Sequence, residues 1–176
     1  MLFRSPFEVE VRDDDAIGSD PCGLTHIALD KLKAAPNTWA VNEILPLKNG
    51  DKLQGSIYIQ VKFIPDGATD DGKPAQTLEH KGPEDPASVQ KPAQADKSEE
   101  ELKKTGIVGQ LKIVVKSARD LPNKDGFGQG VSDPLATVKL PDGQKWQTKV
   151  VKDNLNPDWN ETKVFKVRLN KEVAAR

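Results

Sequence analysis

Five aspartates in two distant groups have the chemistry and spacing to form a site: Asp13, Asp15 and Asp20 near the start, Asp125 and Asp133 near the end. Each group stands where a strand-like apolar run breaks into a glycine-containing loop. Carboxylates crowded on loops repel one another unless a hard cation neutralises them. Ca²⁺ prefers such an oxygen-rich cage, provided that the fold carries both loops to one rim.

Other chemistries fit less well. Asp13, Asp15 and Gly18 occupy positions one, three and six of an EF-hand loop, but Ile17 and Leu24 stand where it needs oxygen ligands. Gly126-Phe-Gly-Gln-Gly130 has its last glycine misplaced for a dinucleotide fingerprint and no helix follows. One cysteine and two distant histidines, His26 and His80, support zinc poorly. No nucleophile, base and orienting group fall into a set, so the reading is of a protein that is not an enzyme.

The elements that must position the aspartates are strands. Phe7, Val9 and Val11 alternate with charged residues, which predicts a strand. Leu24–Leu32 is a second candidate and Trp39–Leu47 a weaker third. Asn49-Gly50 marks a turn. Ile57, Ile59, Val61 and Phe63 then alternate with Tyr58, Gln60, Lys62 and Ile64 in the clearest strand of the chain. After Gly109, apolar alternation returns at Leu111–Val115, at Ala136–Leu140, at Trp146–Val150 and at Phe165–Leu169. The count is four strands at each end, with regularly spaced turn signals between them. This predicts an all-β fold, an eight-stranded antiparallel β-sandwich. Trp39, Trp146 and Trp159 read as packing residues, and His26 as structural.

Residues 66–105 differ. They hold Pro74, Pro83, Pro86 and Pro92 and almost no large apolar side chains. Such a segment cannot bury enough surface to offset its ordering entropy, which predicts a disordered linker. Within it, Ser98–Lys104 could form a helical turn or two. The domain reading is therefore 1–65, then an acidic proline-containing linker 66–105, then 106–176.

The chain has 26 basic and 27 acidic residues, unevenly spread. Residues 106–176 hold 13 Lys and Arg against 8 Asp and Glu, a net of +5. No dense Lys/Arg block or aromatic platform supports nucleic-acid binding. A mildly basic surface suits anionic phospholipid better. A single cysteine, Cys22, rules out an intramolecular disulfide and suggests a reduced, intracellular setting. No apolar run approaches the roughly 20 residues of a membrane-spanning helix, so any membrane contact is expected to be peripheral, from the cytoplasm.

The C-terminal residues resemble the first half of a C2 domain. The matching residues are Gly109-Gln-Leu-Lys-Ile-Val-Val-Lys-Ser-Ala-Arg-Asp-Leu121, Asp125, Ser132-Asp133-Pro134, Thr148-Lys149-Val150 and Asn156-Pro157-Asp158-Trp159-Asn160-Glu161. The N-terminal residues resemble the second half, through Val9-Glu-Val-Arg-Asp13-Asp14-Asp15, Asp20, Gly23, Trp39 and Gly55-Ser-Ile-Tyr-Ile-Gln-Val-Lys-Phe-Ile-Pro65. The order is that of a tandem-C2 protein of synaptotagmin or extended-synaptotagmin kind, running from the middle of one domain to the middle of the next. Strands five to eight come first and strands one to four follow. Each half alone would expose bare edges and an open apolar face. Together they could close in circularly permuted order, as a monomer or a domain-swapped dimer. A flexible segment of 41 residues, 65–105, has an r.m.s. reach of roughly 35 Å, enough to bridge a small domain.

The resemblance implies a function: calcium-dependent binding to anionic phospholipid membranes, with Ca²⁺ as cofactor. Asp125 and Asp133 would be ligands of the first calcium loop, and Asp13, Asp15 and Asp20 those of the third. Asp14 is expected to face solvent instead. Phe127, Val131 and Ile17 would be apolar tips dipping into the lipid interface. Lys139, Lys145, Lys149 and Lys152 resemble the basic cluster that contacts phosphoinositide head groups. The rival readings are a calcium-independent scaffold with protein partners, and a targeting fragment of a larger lipid-modifying enzyme.

Overall fold

The computed structural model describes residues 6–14, 18–34, 36–70, 106–125 and 130–169. Eight strands and one short helix follow in chain order: β1 (Phe7–Asp13), β2 (Pro21–Ile27), α1 (Asp30–Ala34), β3 (Trp39–Asn49), β4 (Lys52–Pro65), β5 (Ile107–Arg119), β6 (Pro134–Lys139), β7 (Lys145–Gln147) and β8 (Asp158–Leu169). All pairings are antiparallel, in the spatial order β7-β6-β1-β2-β3-β4-β5-β8. β2 and β3 are joined only at Leu24↔Lys48. That seam divides the strands into two layers, giving a nearly closed eight-stranded β-sandwich.

Each layer mixes the two ends of the chain. β1 and β2 lie beside β6 and β7, while β3 and β4 lie beside β5 and β8. The longest ladder across this divide joins β4 to β5, from Ser56↔Arg119 to Pro65↔Gly109. Gly109 is required there. A Cβ at this position would stand 2.3 Å from the carbonyl oxygen of Ile64 and 2.7 Å from the ring of Phe63.

The period-two pattern puts apolar side chains between the layers. Phe63, Leu111 and Phe165 form one cross-strand row, and Val41, Val61 and Ile113 form another. Phe7, Val9, Val11, Ala136 and Val138 face them from the opposite layer, and all eleven are buried. Burial of this kind stabilises by roughly 25 cal/mol per Å² of apolar surface. Because the core draws on both ends, neither half can keep it dry alone.

Element boundaries differ from the sequence expectations in three places. The expected strand Leu24–Leu32 ends at Ile27, and α1 follows from Asp30. Leu29 and Leu32, three residues apart and both buried, suit a helical turn better than a pleat. Around Trp146 the strand is short, Lys145–Gln147. β8 begins at Asp158, directly after Asn156-Pro157 and well before Phe165. Its first half gives little apolar signal because Glu161 and Lys163 stand at half-buried positions while Val164 stands at an exposed one.

Trp159 is buried and Trp146 packs against the core. Trp39 differs: it is 39% exposed, with the Nζ atoms of Lys62 and Lys112 each 5.8 Å from its ring centroid. His26 sits exposed in β2, with Nε2 3.7 Å from the Glu8 carboxylate. Residues 66–70 are held to the sandwich. The Asp66 N–H donates to the Val108 carbonyl, Asn37 Nδ2 donates to the Thr69 carbonyl, and Asp70 pairs with Lys62 and Lys112. The rest of the expected linker, with Ser98–Lys104, lies outside the described residues.

Candidate metal centre

β1 lies in register with β6, so that Asp13 stands opposite Pro134. This pairing carries the end of β1 to the loop that precedes β6. The backbone N–H of Asp133 donates to Asp13 Oδ1 at 2.6 Å, and the Asp14 N–H donates to the Asp133 carbonyl at 3.1 Å. The two acidic groups, far apart in sequence, are therefore neighbours at one rim. The Asp13 N–H donates to the Asp20 carbonyl at 2.8 Å, which closes the β1–β2 loop beneath them. The Asp20 and Asp14 side chains are exposed. Asp15 lies outside the described residues.

Asn123 organises the loop from β5 to β6. Its Oδ1 accepts from the N–H of Asp125 at 3.2 Å and of Ser132 at 3.0 Å, and its Nδ2 donates to the Gly130 carbonyl at 3.1 Å. Ser132 Oγ accepts the Lys124 N–H at 2.7 Å. These bonds tie the two described ends of the loop, 123–125 and 130–132, to each other. The β7–β8 loop joins them. The Asp153 N–H donates to Asp133 Oδ1 at 2.7 Å and the Asn154 N–H donates to the Ser132 carbonyl at 3.1 Å.

Sequence reasoning missed Asn123 and Asp153, and named Ser132 only as part of the Ser132-Asp133-Pro134 stretch, with no role. Asn123 left a faint signal, since an Asn two residues before an Asp in a loop favours an Asx turn. Asp153 left almost none, being one acid in an otherwise basic stretch.

Three properties fit this rim to a hard cation. Its donors are oxygens. Asp13 is 1% exposed, yet its Oδ2 has no hydrogen-bonding partner among the described residues. An ionised carboxylate is costly to bury with an oxygen unsatisfied. Moreover, no Lys or Arg among the described residues pairs with Asp13, Asp133 or Asp153. The described residues alone contain no ready-made group of three or more metal-binding side chains.

Of the expected lipid-facing tips, Val131 is half-buried in the β5–β6 loop. Phe127 and Ile17 lie outside the described residues. The four lysines divide. Lys139 on β6 donates to Glu10 at 2.7 Å and to Glu8 at 3.0 Å. These bonds, Glu10 first, hold its ammonium above the ordinary lysine range. Lys145 stands opposite Lys139 on β7. Lys145, Lys149 and Lys152 are exposed. The backbone N–H of Lys149 donates to the Glu161 carboxylate at 2.8 Å, tying the end of β7 to β8. No helix among the described residues is long and apolar enough to cross a membrane.

Comparison with known proteins agrees with this architecture. Residues 109–174 match the family model of the C2 domain. Over 165 residues, 90% of the chain, the sequence is 27% identical to Synaptotagmin-5 of Arabidopsis thaliana, covering 29% of that protein. Over 69 residues, 38% of the chain, it is 48% identical to Synaptotagmin-4 of the same plant, covering 11% of it. It is also 40% identical over 67 residues, 38% of the chain, to a protein named Calcium-dependent lipid-binding protein of Arabidopsis thaliana, covering 12% of it. The chain thus spans less than a third of each of these relatives. No solved structure gave a significant match. Residues 109–174 thus match the C2-domain family model, and the described strands close into a β-sandwich of C2 type.

Proposed function

We propose that the chain binds Ca²⁺ at the rim where Asp13 and Asp133 meet, and through that rim binds anionic phospholipid. The observation that carries this reading is the Asp133 N–H bond to Asp13 Oδ1, with Asp13 buried and its second oxygen unpartnered. Asp13, Asp15, Asp20, Asp125 and Asp133 would hold the ion. When bound, Ca²⁺ supplies positive charge and open coordination positions for phosphate oxygens.

The chain's own residues do the rest. Before cation binding, the crowded carboxylates repel an anionic surface. Val131, with Phe127 and Ile17, offers apolar contact to the lipid interface. Lys145, Lys149 and Lys152 are exposed to reach head-group phosphates. Lys139 contributes less, because Glu8 and Glu10 already engage it. We read the chain as the second half of one C2 sandwich followed by the first half of the next, closing on itself in permuted order. The cytoplasmic face of a membrane is the setting this reading implies.

Sedimentation with vesicles containing phosphatidylserine, in Ca²⁺ or in EGTA, tests the proposal. Pelleting in Ca²⁺ alone is expected; equal pelleting in both would end the calcium-switch reading. The ion-paired Lys139 and the incomplete ligand group among the described residues favour one rival, a calcium-independent surface for protein partners. Vesicle binding absent in both conditions would support that rival.

A further inference from the structure

At the pole of the sandwich away from the acidic rim, two lysines share one exposed carboxylate. We infer that this pair, with Trp39, is a seat for a phosphomonoester, and that Asp70 occupies it until a ligand displaces it. The inference does not depend on the calcium reading.

The seat is set by register. Trp39, Lys62 and Lys112 stand directly opposite one another on β3, β4 and β5. Like charges directly opposite in an antiparallel pair destabilise it. The strain falls hardest on Lys62, whose side chain is only 8% exposed. Both ammoniums lie over the same exposed indole. An anion between them therefore offsets a repulsion that the strand pairing imposes.

The resident anion is Asp70. Its carboxylate reaches Lys62 through Oδ1 at 3.2 Å and Lys112 through Oδ2, and its carbonyl accepts from Lys62. Asn37 holds the preceding residue, Thr69, by its carbonyl, which places Asp70 over the pair. The fit is incomplete in two respects. Two ammoniums face one carboxylate, and no other carboxylate among the described residues pairs with either lysine. The Asp70 side chain is also 53% exposed, so solvent screens its hold. Such a contact closes the seat without locking it.

A phosphomonoester fits better than a carboxylate. It carries about −1.5 to −2 charge at neutral pH and three acceptor oxygens. It can thus engage both ammoniums at once. The exposed Trp39 ring offers flat apolar contact to the group that the phosphate esterifies. The stretch of β5 from Lys112 to Arg119 sets the seat roughly 20 Å from the β5–β6 loop. It is therefore distinct from the acidic rim.

Titration of the whole chain with phenyl phosphate, in EGTA, tests this. Proton–nitrogen NMR resolves the indole N–H of Trp39, assigned by its loss in Trp39→Phe. That signal should shift saturably in wild type, and at roughly fivefold lower ligand concentration in Asp70→Asn, because the competing carboxylate is gone. Lys112→Met, added to Asp70→Asn, should weaken binding by about tenfold or more. Lys48→Met is the control, since Lys48 is an exposed lysine at the far end of β3. Added to Asp70→Asn, it removes the same charge and should change nothing. Circular dichroism melts verify that each variant folds. No saturable shift in Asp70→Asn, or equal losses in the two lysine variants, would overturn the seat. Either result would leave the calcium reading standing, because calcium uptake at the rim is measured separately. Pelleting of Asp70→Asn in EGTA, with phosphatidylcholine vesicles containing phosphatidic acid, distinguishes the source of the ligand. Pelleting that Lys112→Met removes supports the seat and assigns the phosphomonoester to a lipid head group. Phenyl phosphate binding without such pelleting supports the seat and assigns it to a soluble molecule.

Discussion

Asp133 donates its backbone N–H to the carboxylate of Asp13, joining positions 120 residues apart. The bond forms because β1 pairs with β6, with Asp13 at the end of the ladder. Asp13→Asn keeps an acceptor for this bond and removes the charge. Calcium binding by calorimetry is expected to be lost or weakened by at least tenfold, with the fold retained. Asp13→Ala instead strands the Asp133 N–H, and should also lower stability by about 1–3 kcal/mol in urea unfolding. A silent Asp13→Asn beside a calcium-blind Asp125→Asn would mean that the two loops do not share a site.

The two ends of the chain should unfold as one unit. Phe63 comes from one end, and it lies in a row with Leu111 and Phe165 from the other. Phe63→Ala is expected to cost about 3–5 kcal/mol. Its melting curve should keep a single transition, read by both circular dichroism and tryptophan fluorescence. Two separate transitions would show that the halves fold apart. Light scattering at low concentration should give a monomer; a dimer would place the same pairings between two copies.

Asp70 joins two lysines of neighbouring strands, Lys62 on β4 and Lys112 on β5. Hydrogen bonds, first from Lys112 and then from Lys62, hold its pKa below the ordinary carboxylate range. A lowered folded pKa means that the stabilisation is full above the unfolded value of 3.8 and fades as pH falls through the folded one. Asp70 is half-exposed, so solvent screening limits the pair to about 1 kcal/mol. Asp70→Asn should remove that amount at pH 7 and flatten the loss of stability below about pH 4. Urea midpoints measured from pH 2 to 7 check the slope. An unchanged slope would mean that the contact contributes no linkage.

Lys139 behaves in the opposite sense. Its pKa is raised by Glu10 and Glu8, so its contribution is full below the unfolded lysine pKa and is lost as pH rises through the higher folded value. Lys139→Met is expected to cost about 1 kcal/mol near neutrality, reduced by its partial exposure. Vesicle pelleting should change little in this variant. The double substitution Lys145→Ala with Lys149→Ala should weaken pelleting clearly. A Lys139→Met chain that pellets as poorly as the double variant would give Lys139 the direct lipid contact.

Much of the strand inventory was legible before any pairing was known. Val9, Val11, Ile57, Ile59 and Val61 alternate because a pleated strand turns successive side chains to opposite faces, and this signal is local. α1 was missed because Leu29 and Leu32 give only one helical spacing in five residues. The start of β8 was missed because Asn160 to Val164 carry almost no apolar alternation. Trp39 was read as a packing residue, but it is 39% exposed, and the lysines over its ring, Lys62 and Lys112, arrive from two other strands.

The same division holds at the candidate site. Composition and order place carboxylates on loops at the ends of apolar strands, and this alone points toward a cation. Which loops meet is a property of strand pairing. Nothing near Asp153 in the chain marks it, because its neighbours at the rim, Asp133 and Gly130, reach it only after β6, β7 and β8 take their places. Side-chain alternation is set by backbone geometry within a few residues. The convergence of Asp13, Asp133 and Asp153 was decided by two incomplete apolar layers, each excluding water from the other.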